Sequence, residues 1–322
     1  MASLAVANTY DRVGIREDLT DAIYNISPTD TPFVSMIGTT KAYQTKHEWQ
    51  TDTLASPGNN IVEQGRVAPG TAAAATTRLY NECQINAKDV SVSGTDAVVN
   101  SAGRKSEMAY QLAKRGAEVK TDMERAGINT PNIRVTGASG TAAEISSLHT
   151  WMSNGSFGAG AAATGDGSDL PTTSTDRAFT EPFLIDAIQK AWLDGGKPSV
   201  VMLSAYNKAL LGAFVGRSAA ASTNTDAHTK KIMNAVDIYV SDYGDLSVVP
   251  NRIQPGAATA VNGTNGIVWV LDPKTWAIAM LRPFKTFDLA VTGDATSKEL
   301  LVEWTLEAKS PTGNAMVGDL SS

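Results

Sequence analysis

Cysteine is nearly missing from this sequence, and histidine is scarce. One cysteine, Cys83, in 322 residues excludes an internal disulfide and fits a reducing compartment. It alternates within a strand-like run, which predicts a half-buried structural thiol rather than a nucleophile. The three histidines are scattered: His47 falls on a strand face, His149 on a helix beside Trp151, and His228 in a polar loop. No pair of them stands at metal-ligand spacing. Walker, HExxH and kinase signatures are missing as well. No apolar run approaches the roughly 20 residues that cross a bilayer. The start, MASLAVANTYDRVGIRED, lacks the basic and apolar regions of a signal peptide, so a cytoplasmic chain is expected. A net charge of −6 with no basic run argues against wrapping nucleic acid over a broad face, without forbidding proximity to DNA. From these absences we expect no catalytic, cofactor-binding or metal-binding residues.

What is present suffices for a sizeable core: 42% of residues are hydrophobic and 19% charged, enough for one large domain or two modest ones. The longest uninterrupted helical pattern runs from about Ser101 to Gly127. Met108, Leu112, Val119 and Met123 share one side of its 3.6-residue period. Lys114 with Glu118 and Lys120 with Glu124 are expected on the opposite, charged side. Gly127 is expected to end the helix in the left-handed conformation, and Pro131 to stop it resuming. Such a helix, roughly 40 Å long, would serve as a strut. A charge placed at Met108 or Leu112 is expected to abolish soluble protein.

Ahead of the strut, the first two dozen residues are polar except for an amphipathic turn with Leu19, Ile23 and Ile26, and read as an arm. Pro28 and Pro32 predict an extended or turning path before Phe33, Val34, Met36 and Ile37, either a surface turn feeding a strand or a clamp where the arm leaves the body. Residues 43–53 alternate, with Tyr43, Thr45, His47, Trp49, Thr51 and Thr53 on one face. Residues 77–92 alternate too, with Leu79, Cys83, Ile85 and Ala87 on one face. The two runs are expected to pair as a long hairpin. The connection, SPGNNIVEQGRVAPGTAAAA, is far longer than hairpins use and too poor in apolar residues to pack on itself. It is expected to be mobile or to be ordered by a neighbouring molecule.

Beyond the strut, Ile133 to Ala143 places glycines Gly137 and Gly140 after a strand-like run, but the third glycine of a dinucleotide-binding turn is missing. A helix capped by Ser139 or Thr141, burying Ile145, Leu148, Trp151 and Met152, is expected instead. Residues 153–178 read as a loop or linker. Asp166, Ser168 and Asp169 within it lack the 12-residue calcium loop. From Thr180 the pattern changes. A helix aligns Leu184, Ile188 and Trp192 and closes at Gly195 and Gly196. A buried strand at 199–203 follows, then a helix from Ser204 with Leu210, Leu211 and Phe214. After a polar loop to about His228 come four short strands at 236–240, 246–250, 267–271 and 277–281. Asp242 and Asp245 read as a turn between two of them. Strands at 287–291 and 299–307, the second alternating Leu300, Val302, Trp304 and Leu306, are expected to pack on the strut. The fold class is α+β.

Arg16 to Phe33 reads R-x-D-L-x-D-x-I-Y-N-I-S-P-T-D-T-P-F, a motif that resembles the N-terminal arm of major capsid proteins of tailed double-stranded DNA phages, the fold also found in the herpesvirus capsid floor. SVVMLSAYNK (199–208), VSDYGDLSVV (240–249), WVLDPKTWAIAMLRPF (269–284) and TGDATSKELLVEWTL (292–306) follow in the order of that family. The resemblance implies an N-terminal arm at 1–40 and an extended E-loop hairpin at 41–93. It implies a P domain at 94–179 with its spine helix at about 101–127, an A domain at 180–283, and a return to the P domain at 284–322. It implies a structural protein, not an enzyme, that self-assembles into an icosahedral shell enclosing the double-stranded DNA genome. The implied partners are copies of itself in pentamers and hexamers, with portal, scaffold and decoration proteins as further classes. DNA would lie against the inner face without sequence-specific binding, and no membrane is involved. The implied place is the virion capsid, assembled in the host cytoplasm. The Lys–Asn crosslink of some members has no matching residues here, and a separate scaffold, or none, is implied. Two alternatives stand beside this: an encapsulin-type compartment shell, and a dinucleotide-binding oxidoreductase built around Val135–Ala143.

Overall fold

The computed structural model describes residues 30–68, 70, 72–99, 106–172, 174–214, 237–254, 266–291 and 293–321. Pro32, with its fixed φ, opens α1 (Pro32–Met36), which leads into β1 (Gly38–Lys41). β2 (Lys46–Thr51) and β3 (Thr77–Glu82) flank the long polar connection, and β4 (Gln84–Ser93) continues from β3. Ser93 caps α2 (Gly94–Val98) and Ser106 caps α3 (Glu107–Ile128), each hydroxyl accepting from an amide three residues on. Then come α4 (Leu148–Trp151), β5 (Gly155–Ser156), α5 (Glu181–Leu193), β6 (Val200–Leu203) and α6 (Ala205–Gly212). The strands β7 (Ile238–Ser241), β8 (Gly244–Pro250), β9 (Gly266–Leu271), β10 (Trp276–Asp288), β11 (Ala295–Ala308) and β12 (Ala315–Leu320) complete the described chain.

These strands form three sheets. One runs β1-β10-β11-β4, another β5-β12-β9-β6-β8-β7, and β2 pairs with β3 alone. In the six-stranded sheet, alternate residues serve two cores. Met202, Ile267, Trp269 and Leu271 face α3, α4 and the four-stranded sheet, while Val201, Leu203, Val268 and Val270 face α5 and α6. A strand buried on both faces must be apolar throughout, which is why β6 and β9 read as unbroken hydrophobic runs. The strut packs on the four-stranded sheet through Val119 and Met123, against Leu300 and Val302 of β11.

Several expectations change. The helix does not end at Gly127. A side chain there would point at the Phe33 ring, and Gly127 remains helical because Ile128 is needed in the core. Asn129 N then closes the last turn on Arg125 O at 2.9 Å. Residues 101–105, where the sequence pattern began, lie outside the described residues, as do the arm motif before Asp30 and the loop with His228. Met108 and Leu112 are only half-buried, whereas Val119 and Met123 are buried. The charged face is also redrawn: Glu118 pairs with Arg115 (2.7 Å) and Lys88 (3.4 Å), and Glu124 is fully buried.

The single alternation read through 77–92 is broken at Cys83. β3 stays with β2, whereas β4 joins β11 with its phase inverted, so Val90 and Val92 point inward and Ile85 outward. Two contacts at the break explain the switch. Cys83 N donates to Thr45 O at 2.7 Å, and buried Asn81 bridges Leu306 O and Ser146 N, at 2.9 Å each. Satisfying those groups redirects the strand from one sheet to the next.

Neither Ser139 nor Thr141 caps a helix. Bridges at Val135–Glu144 and Ala138–Thr141 close a tight turn, and α4 has four residues. Ile145, Leu148, Trp151 and Met152 are nevertheless all fully buried, as expected. Trp192 is half-exposed and stacks on Tyr243 at 5.4 Å rather than entering the core. The run at 277–281 and the start of the run at 287–291 belong to one strand, β10, which ends at Asp288, so residue 283 lies inside it. β12, unforeseen, inserts between β5 and β9.

Candidate assembly surfaces

The β2–β3 hairpin meets the body through both of its faces. Trp49 Nε1 donates to Ala308 O at 2.8 Å, and its ring lies 5.5 Å from that of Trp151. His47 Nε2 meets Glu307 Oε2 at 3.4 Å, and Thr40 Oγ1 donates to the same oxygen at 2.9 Å. Those bonds, the one from His47 foremost, hold the Glu307 carboxyl below its usual range despite burial. Tyr80 is stacked between Lys46 Nζ (3.9 Å) and Arg134 (4.0 Å). The face that carries Tyr80, opposite Trp49 and His47, also holds Lys46, Glu48 and Arg78 in exposed ion pairs.

Past this root the connection between Thr51 and Thr77 has no regular structure among its described residues. Leu54, Ile61 and Val67 are 99%, 85% and 88% exposed. About a dozen residues on each side of such a loop can reach roughly 40 Å. These exposed apolar side chains are left uncovered by the described residues of their own subunit. A second exposed apolar set lies on the outer strand of the six-stranded sheet, where Ile238 and Val240 of β7 face outward.

The point where the chain enters the body is held by Glu124. Its carboxylate accepts from Phe33 N (2.9 Å), Val34 N (2.7 Å) and Asn251 Nδ2 (2.6 Å). One side chain therefore ties α1, the strut and the segment after β8. Burial raises its pKa, opposed by these three bonds. The sequence offered a faint signal, since Glu124 stands four residues before buried Ile128. Nothing local marks Asn251, Asn81 or Arg134, whose partners are distant in the chain.

The residues considered for chemistry do not converge. His149 is buried, bonded through Nδ1 to Ser147 Oγ at 3.2 Å and edge-on to Trp269 at 4.9 Å. His47 is at the hairpin root. Asp166 accepts from Ser168 and Thr164, and Asp169 from Thr164, all within their own loop. Asp245 lies in β8, next to the β7–β8 turn that carries Asp242. Cys83 is a buried thiol whose pKa burial pushes up to about 12. Among the described residues no cluster of three or more His, Cys, Asp or Glu could hold a metal ion, and none of the described helices is long and apolar enough to cross a membrane.

Comparison with known proteins agrees with this picture. The family model described as SU10 major capsid protein matches residues 5–321. The major capsid protein of Escherichia phage Phieco32 is 40% identical over 126 residues, 39% of this chain. That match spans only about a third of the relative's length (36%). Two solved structures share the fold at low identity. The capsid asymmetric unit of cyanophage A-1(L) superposes with a TM-score of 0.64 at 13% identity, covering 96% of this chain and 98% of the other. The capsid of a native GTA particle, computed with C5 symmetry, gives 0.63 at 11% identity, covering 99% and 100%.

Proposed function

The chain belongs to the SU10 major capsid protein family, and from that premise we propose that it builds the icosahedral shell of a phage by self-assembly, with no catalytic step. The observation that carries this is the hairpin, firmly rooted through Trp49, Asn81 and Tyr80 yet ending in a tip whose apolar residues are exposed. Such a tip gains stability only by covering another copy. Many modest contacts of this kind add up through symmetry.

In this reading residues 1–40 form the arm, and the hairpin within 41–93 is the E-loop laid across a neighbour. The strut with the four-stranded sheet is the peripheral domain. The six-stranded sheet with α5 and α6 is the axial domain, where copies meet in pentamers and hexamers. Sheet membership supports moving 276–283 to the peripheral side and 315–320 to the axial side of the division read from sequence. Packaged double-stranded DNA lies against the inner face without sequence readout, and portal, scaffold and decoration proteins complete the particle. Subunits assemble in the host cytoplasm and end in the virion.

Deleting residues 55–76 tests the reading. The expected product is a folded subunit, by circular dichroism and thermal melting, that forms no closed shells in negative-stain microscopy or ultracentrifugation. Normal shells from the deletion would overturn it.

A further inference from the structure

An open groove of about 560 Å³ runs between the strut and the four-stranded sheet. Leu112, Gly116 and Ala117 of α3 form one wall, Phe284 of β10 and Leu300 of β11 the other, and Lys120 is its single charged lining residue. Gly116 and Ala117 carry too little side chain to fill the slot themselves. The same chain holds the complement. Ile61 and Val62 stand side by side and exposed in the connection after β2, and Glu63, the one acidic residue between Thr53 and Thr77, follows them directly. An apolar pair next to a single negative charge fits an apolar slot with a single positive one. Both apolar residues are β-branched and stiff at χ1, so covering them costs little rotamer freedom.

We propose that the groove receives the Ile61–Val62–Glu63 tip of a second copy, with Glu63 set beside Lys120. A single chain does not make this contact within itself: its groove is open while its own Ile61 and Val62 are exposed, and the bonds of Trp49 and Asn81 fix the hairpin at its root. From Thr51 to Ile61 the chain spans at most roughly 35 Å, which lets a tip rooted on one subunit reach the body of the next. Tip and groove are different surfaces, so the contact is head-to-tail. Each copy gives one tip and receives one, and the series closes into a ring when the rotation between copies permits it. This seat presupposes the self-assembly proposed above, whereas self-assembly by itself does not require this seat.

The test mixes two full-length chains, a tagged one with Gln64→Cys at the tip and an untagged one with Ala113→Cys at the exposed rim of the groove. Native Cys83 is buried and does not compete. Assembled together and mildly oxidised, they should form the mixed disulfide at least about tenfold faster than a control pairing Gln64→Cys with the exposed Lys197→Cys, through the higher effective concentration of docked thiols. Adding Leu112→Asp to the receiving chain should return the rate to that of the control. Glu63→Lys on the giving chain should slow the reaction, and Lys120→Glu on the receiving chain should restore it. Normal shells with no excess of the mixed disulfide over the control would overturn the seat and leave the assembly reading standing. Failure of the unmodified chain to form shells or rings would overturn both. A bond formed only within a chain that carries both cysteines would also sink the proposal, because the occupant would then be the chain's own tip. Circular dichroism of the reduced variants verifies that each is folded.

Discussion

Three donors converge on the Glu124 carboxylate, one from each of two backbone amides and one from Asn251. Truncating it would strand all three in a buried site. Glu124→Ala is expected to cost about 3 kcal/mol, read as a lower urea midpoint. His149 makes a different prediction. Burial pulls its pKa down to about 3, so the folded ring stays neutral where the unfolded one, at its ordinary value near 6.5, already carries a proton. Between those values the unfolded state binds more protons, and acidification favours unfolding by at most about 1.4 kcal/mol per pH unit. His149→Phe, which keeps a ring against Trp269, should flatten that slope in denaturation curves taken from pH 7 to 4. Glu307 acts in the same direction at lower pH. Its depressed pKa contributes stability present above the ordinary glutamate value and lost as pH falls toward its folded one.

The strut shows which parts of an element a sequence reveals. Its apolar period was legible, because that depends on residues three or four apart, whereas the start capped by Ser106 was not, since the sequence pattern begins at about Ser101. Which of its turns are covered depends on how closely distant strands approach it, and no local pattern encodes that. The expectation for Leu112 is therefore revised. Leu112→Asp is at a half-buried position and should leave soluble, folded protein, whereas Met123→Asp, buried in the core, should yield little or none; soluble expression separates the two. The break at Cys83 escaped notice for the same reason, since the groups that redirect the strand are Leu306 O and Ser146 N, far along the chain. Gly195 and Gly196 were read only as a helix end, but Gly196 does more. A Cβ there would lie 2.1 Å from Gly313 O, so α5 and the 311–313 turn touch backbone to backbone. Gly196→Ala should lower the melting temperature by several degrees, at a cost of about 2 kcal/mol.

At the scale of the molecule, order and family were legible together because the arm motif and the apolar strands follow one another as they do in capsid proteins. The partition into sheets was not, since it depends on which strands cross over. The hairpin gives the whole-molecule prediction. Trp49→Ala removes both the bond to Ala308 O and the stack on Trp151. The body should stay folded while amide exchange in 46–51 and 77–82 rises, and shell yield should fall with it; unchanged exchange would show that the root lies elsewhere.

β12 also bears on how the protein is made. It sits between β5 and β9, second from the edge of its sheet, yet a ribosome would emit it after every other described strand. Until then β9 is an open edge of the six-stranded sheet, and Trp269 lacks its cross-strand neighbour Met316. A chain cut short before Ala315 therefore leaves the edge of β9 without its neighbour, and this sheet closes only once its last described strand is made.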